Sequence, residues 1–326
     1  MDAALQFSSV TIVIPVKAWN PYLAESVRHC LRLQYPASVE IVVLPDAPCP
    51  SPDPRVRIIP TGVVNPAVKR AVALRQTHGE LLAFLDDDAY PVPDWLTRAA
   101  RHFHDPAVAA VGGPGVTPPD DSPRQRASGA VYISWLVSGP HRLRYLPETT
   151  RDVDDLPSCN FIVRRSVLEA LHAAEVNFWP GEDTFLCEKI IRQLRQRIRY
   201  DPQVLVYHHR RAVFAPHCRQ VGRYAVHRGY FVKRFGGNSN KLTYWVPSAF
   251  LVLLIIGALV SAWVPGAGRW YGGLLGIYGA LLFGEGVRTR DLRLTFLVPC
   301  GICATHLVYG LGFLQGLLLT RLREER

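Results

Sequence analysis

Glu80-Leu81-Leu82-Ala83-Phe84-Leu85-Asp86-Asp87-Asp88-Ala89 passes from an apolar run straight into three consecutive carboxylates. A short apolar run of this kind predicts a buried strand over Glu80–Leu85. Three acids at its carboxyl end are costly unless a cation neutralises them. A hard divalent ion, Mg2+ or Mn2+, suits carboxylate oxygens, and takes only one or two protein carboxylates when a diphosphate supplies further ligands. An acidic turn capping the next helix is the alternative reading of the triplet.

Upstream, strand and helix patterns alternate. Val10–Val16 and Val39–Leu44 are β-branched runs, and between them Leu23, Val27, Cys30, Leu31 and Leu33 fall at mainly helical spacings over Tyr22–Leu33, behind Asn20-Pro21 as a start signal. Val56–Ile59 reads as a short strand and Pro66–Thr77 as a helix. This order predicts an α/β sheet with right-handed parallel crossovers, in which ligands sit beyond the carboxyl ends of the strands. Lys17, Asp46 and Asp86 to Asp88 all follow strands, which marks that edge as the site. Further on, Pro114–Arg126 reads as a turn-rich excursion and Pro157–Arg164 as a strand entering the site. Phe185–Gln196 reads as a helix with basic residues on its exposed side, and Val204–Tyr207 as a strand before His208-His209.

The 326 residues suffice for one large domain, or for a domain with an appendage. The net charge of +10 is concentrated: thirteen Lys or Arg lie between Lys189 and Lys241 against the single acid Asp201. A basic stretch leading into apolar sequence suits anionic lipid head groups and phosphate-bearing substrates better than nucleic acid. From Leu242 onward come three apolar runs, 242–264, 270–287 and 294–320. The first and third contain no Asp, Glu, Lys or Arg and reach the ~20 residues a membrane crossing needs; the middle one is shorter, glycine-rich and carries Glu285. The expected division is therefore a domain over 1–238, with 215–238 a basic juxtamembrane helix, and a transmembrane domain over 239–326.

Met1–Ser9 lacks the basic start and apolar run of a signal peptide, and the Arg288–Arg293 loop carries three arginines. The expectation is a multi-pass protein of the cell inner membrane with its N-terminal domain in the cytoplasm. The seven cysteines show no paired metal-binding spacing, since Cys300 and Cys303 lie in an apolar run without a second pair, and they read as reduced thiols.

Five motifs in order carry a family resemblance: Ile14-Pro15-Val16, Gln34-Tyr35-Pro36, Phe84-Leu85-Asp86-Asp87-Asp88, Gly181-Glu182-Asp183-Thr184 and Gln220-Val221-Gly222-Arg223-Tyr224. Over about Val10 to Gly229 the chain resembles a family-2 glycosyltransferase of the GT-A fold. The resemblance implies a nucleotide-binding sheet with helices on both faces, followed here by the C-terminal helices. The acidic triplet would be the DxD motif, with Asp88 on the metal and Asp86 on the donor, beside Asp87, Pro15 and Lys17. Asp46 stands where the family has a base-reading acid, although Pro45-Asp46 replaces the usual Asp-Asp pair. Arg70 matches a basic position near the diphosphate, with Ala71 where asparagine often follows. A solvated helix face shared with Lys69 is the alternative for Arg70.

By the same resemblance Asp183 is the general base, and Glu182, Tyr224 and Trp179, in the aromatic turn Asn177-Phe178-Trp179-Pro180, are on the acceptor side. Helix capping is the competing role for Asp183 and Thr184. Gln220 and Arg223 would hold the donor diphosphate, in a QxxRY variant of the family's QxxRW; a basic amphipathic helix on the membrane is the alternative. One of His208 and His209 would complete the metal shell.

The implied reaction is inverting transfer of a sugar from a UDP- or GDP-linked donor to a hydroxyl of a lipid-linked saccharide, dependent on Mg2+ or Mn2+. The rivals are a polyprenyl-phosphate glycosyltransferase, whose ionised acceptor needs no base, and a non-catalytic membrane protein that binds nucleotide sugars. Three apolar segments provide little for the export channel of a processive polymerase.

Overall fold

The structure is a computed structural model that describes residues 7–51, 53–173, 179–237 and 240–322. Asn177 and Phe178 of the aromatic turn, residues 1–6 of the opening segment, residues 238–239 of the expected border and the 323–326 tail lie outside the described residues.

In chain order the elements are β1 (Val10–Pro15), α1 (Pro21–Cys30), β2 (Val39–Leu44), β3 (Val56–Ile58), α2 (Pro66–Gln76), β4 (Leu81–Leu85), β5 (Ala89–Pro91), α3 (Trp95–Ala100), β6 (Val108–Gly112) and β7 (Gly115–Val116). Then follow α4 (Pro123–Ile133), α5 (Trp135–Ser138), β8 (Arg151–Val153), β9 (Asn160–Arg164), α6 (Arg165–Ala170), α7 (Glu182–Arg192), β10 (Arg197–Tyr200) and β11 (Val206–His208). Four long helices close the chain: α8 (Ala215–Arg234), α9 (Leu242–Trp263), α10 (Ala267–Arg288) and α11 (Leu292–Leu318). Two compact units result, Met1–Val116 with Leu143–His209, and Thr117–Arg142 with Arg210–Arg326.

The first unit is an α/β sheet of eight strands in the order β3-β2-β1-β4-β9-β6-β10-β8, with a second sheet of β5-β11-β7. β1 pairs in parallel with β2 and β4, whereas β9 runs antiparallel between β4 and β6. The alternation of side chains along β1 and β4 serves both faces. Val10, Ile12, Ile14, Leu81, Ala83 and Leu85 pack with Leu23 and Val27 of α1 and Trp95 of α3. Val13, Leu82 and Phe84 pack with Leu74 of α2, Leu168 of α6 and Ile190 of α7. Helices therefore cover both faces of the sheet, as a doubly buried strand pattern requires.

The helical starts follow their chemistry. Asn20 and Asn65 accept the amides of Leu23 and Val68 ahead of prolines at the first turns of α1 and α2. The Pro114–Arg126 excursion is more ordered than a turn-rich reading suggests: β7 forms within it, and Ser122 with Gln125 builds a capping box that starts α4. The basic stretch is also less available than its charge implies. Arg197 pairs with Asp105 and Asp152, Arg199 with Asp152 and Arg192 with Glu188.

In the second unit, glycines let α8 and α11 approach closely. A Cβ at Gly229 would lie 2.1 Å from the Phe313 carbonyl, and one at Gly316 would lie 2.0 Å from that of Val226. His217, fully buried, lies 2.8 Å from Ser128 Oγ and 2.9 Å from Thr305 Oγ1, and burial lowers its pKa to about 4, so it stays neutral. Three helices occupy the three apolar runs. Among the described residues two of them, α9 and α11, are long and apolar enough to cross a membrane. α9 is apolar yet largely exposed, with Leu253, Ile255, Ile256 and Leu259 all at least half exposed, a surface that water disfavours.

Candidate active site

The loops that leave β1, β2 and β3 are bonded to one another. The Asp46 amide donates to the Lys17 carbonyl at 2.9 Å, and the Gly62 amide donates to the Asp46 carbonyl at 3.0 Å. Pro15 is buried at the end of β1, whereas the Lys17 side chain is exposed. The anchor beneath them is Lys69. Its side chain is 3% exposed, and its ammonium donates to the carbonyls of Val16 (2.6 Å) and Leu44 (3.0 Å) and to Asp46 Oδ1 (2.5 Å). Three protons meet three acceptors, so a buried cation here is satisfied and fixes Asp46 at the sheet edge.

β4 delivers the acidic triplet, and each carboxylate goes a different way. Asp87 accepts from Asn20 Nδ2 at 2.7 Å, which ties the triplet to the start of α1. Asp88 is buried, while about a third of the Asp86 side chain (34%) reaches solvent. Antiparallel pairing of β5 with β11 sets His208 opposite Ala89, and this register puts His208 Nε2 3.0 Å from Asp88 Oδ1. Asp86, Asp88 and His208 each offer a ligand atom within 4.8 Å of the others. Two carboxylate oxygens and one imidazole nitrogen suit a small divalent cation such as Mg2+ or Mn2+ and leave positions for phosphate oxygens.

His209 does not join this group. Its amide donates to the Asp88 carbonyl, but its ring nitrogen lies 2.8 Å from Glu25 Oε2 and the ring packs on Tyr22. β11 ends at His208, and His209 just beyond it turns its ring to Glu25 and Tyr22.

The second group of carboxylates stands at the start of α7. Gly181, at φ 108°, turns the chain into the helix in a conformation that side-chain-bearing residues rarely adopt, and Trp179 lies half-buried ahead of the cis Trp179-Pro180 bond. Asp183 accepts the amides of Thr184 (2.8 Å) and Ser158 (3.2 Å), so it binds a first-turn amide and is held in place at once. Arg70 connects the two groups. Its Nη1 donates to Glu182 Oε1 at 2.5 Å and its Nη2 to Asp86 Oδ1 at 3.4 Å, with the guanidinium over the Phe84 ring. Arg70 and Lys69 are both buried, which rules out a solvated face.

Burial is the first cause of every carboxylate shift here. It raises Asp183, with the negative charge of Asp155 adding and Arg70 opposing. Glu182 is raised by burial and then by Asp183, against the pull of Arg70. Asp86 is raised by burial, with Arg70 and His208 opposing and Asp88 and Asp183 adding. A cation bound at Asp86 and Asp88 would relieve that cost, and a base with a raised pKa is better matched to proton abstraction near neutral pH.

Gln220, Arg223 and Tyr224 belong to the second unit, on α8. Its stripe of His217, Val221 and Ala225 is buried, whereas Arg223 is exposed and Tyr224 is 46% exposed. Several residues of the first unit join the site without a sequence motif to mark them. In the sequence Asn20 signals only a helix start, whereas its side chain also holds Asp87. Asp155 and Arg144 have no local signal, and the strand pattern over Pro157–Arg164 does not single out Ser158 or the fully buried Asn160, which accepts from Trp95 Nε1 and donates to the Val204 carbonyl.

Residues 11–171 match the Glycosyl transferase family 2 pattern. The Pre-mycofactocin glycosyltransferase of Mycobacterium tuberculosis is 28% identical over 230 residues, 70% of this chain, and the chain spans 46% of that relative's length. Among solved structures, a mannosyltransferase from Pyrobaculum calidifontis in complex with GDP-Man and Mn2+ superposes with a TM-score of 0.65 at 20% identity, covering 94% of this chain and 88% of that one. GalNAc-T7 with UDP, GalNAc and Mn2+ gives 0.50 at 14% identity, over 75% of this chain and 51% of that one. Both share the fold of this chain, and the matched sequence identifies residues 11–171 as a glycosyl transferase family 2 domain.

Proposed function

We propose that the protein transfers a sugar from a nucleoside diphosphate sugar to a hydroxyl group, with inversion at the anomeric carbon. The observation that carries this reading is the grouping of Asp86, Asp88 and His208, linked through Arg70 to the separate carboxylates of Glu182 and Asp183. Asp86, Asp88 and His208 would hold Mg2+ or Mn2+, which supplies charge neutralisation on the departing diphosphate. Asp46, fixed by Lys69, faces the base, and Arg70 adds positive charge beside the donor. Asp183 accepts the proton of the incoming hydroxyl, a role worth typically 10²–10⁴-fold. Glu182 and Trp179 flank it on the acceptor side. The complexes of the two solved neighbours with GDP-Man and with UDP and GalNAc support a GDP- or UDP-linked donor.

The acceptor is, on this reading, a lipid-linked saccharide, and α9 and α11 anchor the protein in a membrane. α9 would span about 33 Å at 1.5 Å per residue, enough for a hydrocarbon core of about 30 Å. Its exposed apolar surface supports that placement. The basic residues of α8 are assigned to anionic head groups.

The test is a screen of UDP- and GDP-sugars with Mn2+, read as nucleotide release with and without a lipid-linked saccharide. Metal-dependent release that rises with a hydroxyl acceptor is expected. Release stimulated only by a polyprenyl phosphate would replace the hydroxyl reading, and metal-dependent binding without release would make the protein a non-catalytic binder.

A further inference from the structure

Behind Asp183 lies a buried arrangement that the reaction as proposed does not use. The Asp155 side chain is 2% exposed, Arg144 Nη2 lies 2.8 Å from its Oδ2, and both its oxygens lie within reach of the Thr184 hydroxyl, at 3.3 and 3.2 Å. Thr184 is itself buried, and its amide is the 2.8 Å donor to Asp183 Oδ1. Three residues beyond Asp155, the Ser158 amide holds Asp183 Oδ2. The segment from Asp155 to Ser158 therefore grips the first turn of α7 twice, once by the Thr184 side chain and once by the Asp183 carboxylate. Both carboxylate oxygens of Asp183 have a backbone donor, and each donor is positioned by this one segment.

A buried carboxylate next to another is expensive unless it is paired and bonded, and Arg144 supplies that pairing. Packing alone would be met by an apolar residue here. We propose that Asp155 is a positioning residue which, held by Arg144 and acting through Thr184, fixes the Asp183 carboxylate in the orientation that receives the acceptor's proton. This inference rests on the reading of Asp183 as the base.

The test compares Thr184→Val, which keeps the shape and removes the hydroxyl, with Thr184→Ser, which keeps the hydroxyl. The probe is whichever UDP- or GDP-sugar the wild-type chain turns over with Mn2+. Thr184→Val is expected to lose roughly tenfold to a hundredfold in kcat, with donor KM unchanged, because a small misplacement of a reacting group has effects of this size. Thr184→Ser should recover most of that loss. Asp155→Asn, which keeps the volume of the side chain, should show the same loss confined to kcat and guards against a Thr184 variant that fails to fold. Unchanged kcat in Thr184→Val or Asp155→Asn, or equal losses in Thr184→Val and Thr184→Ser, would overturn the proposal. Asp183→Asn separates the two readings: if it stays active, the base assignment has failed, and if it is inactive while Thr184→Val is normal, only the positioning role has.

Discussion

Arg70 Nη1 lies 2.5 Å from Glu182 Oε1, inside the protein and 112 residues away in sequence. This pair ties α2 to the first turn of α7, and the other arm of the guanidinium reaches the end of β4 at Asp86. One side chain thus braces the proposed metal-binding and proton-accepting halves of the site. Removing a single partner of a buried pair costs about 3–5 kcal/mol because a charge is left behind. Arg70→Ala should fall toward the lower end, since Glu182 can take up a proton. Urea unfolding measures the loss. Arg70→Lys keeps the charge but not the fork, and should retain more stability than activity.

The divalent ion should be visible without turnover. Mn2+ is expected to raise the thermal midpoint, through a stabilisation of about 2.7 kcal/mol at a hundredfold excess over Kd. Asp88→Asn and His208→Ala should abolish the increment. His209→Ala breaks the bond to Glu25 and should lower the starting midpoint while leaving the Mn2+ increment intact. Equal effects of the two histidines would contradict the register described for β11.

The proposed base must be ionised to act, and burial holds the Asp183 carboxyl above the ordinary carboxylate range. Activity should accordingly fall as pH drops through that raised value, giving kcat/KM an acid limb above the pH at which an ordinary aspartate titrates. Asp155 contributes to the shift by like charge, so Asp155→Asn should move the limb to lower pH. A limb that stays put would assign it to another group.

Lys69→Met takes the ammonium from the buried Val16 carbonyl and from Asp46, while the Leu44 carbonyl keeps the Val16 amide as a donor. The expected cost is about 2–4 kcal/mol, from unsatisfied groups of about 1–3 kcal/mol each that partly relax. GDP or UDP should bind roughly tenfold more weakly as Asp46 loosens, a loss of about 1.4 kcal/mol. Calorimetric titration of the nucleotide with Mn2+ present reads it.

Much of this was legible because the information is local. The apolar runs of β1, β2 and β4 declare buried strands, and Asn-Pro before α1 and α2 declares helix starts. The triplet and Gly181-Glu182-Asp183 announce themselves at element ends. What escaped depends on pairing between distant segments. The β5–β11 register alone distinguishes His208 from His209, and nothing in two adjacent histidines reveals it. Lys69 reads as a surface residue by type, and only the converging carbonyls of Val16 and Leu44 make its burial tolerable. Asp155 and Arg144 sit in segments with no periodic pattern. The capping box of Ser122 and Gln125, by contrast, was readable and marks where a turn-rich reading should have ended.

The division of labour between the acidic triplet and Asp183 is tested most directly by nucleotide release from the turned-over UDP- or GDP-sugar with Mn2+ and a hydroxyl acceptor, comparing the wild type with Asp183→Asn. Asp183→Asn should keep the Mn2+ increment in thermal midpoint and lose at least about a hundredfold in turnover. Turnover that survives the substitution unchanged would contradict the account.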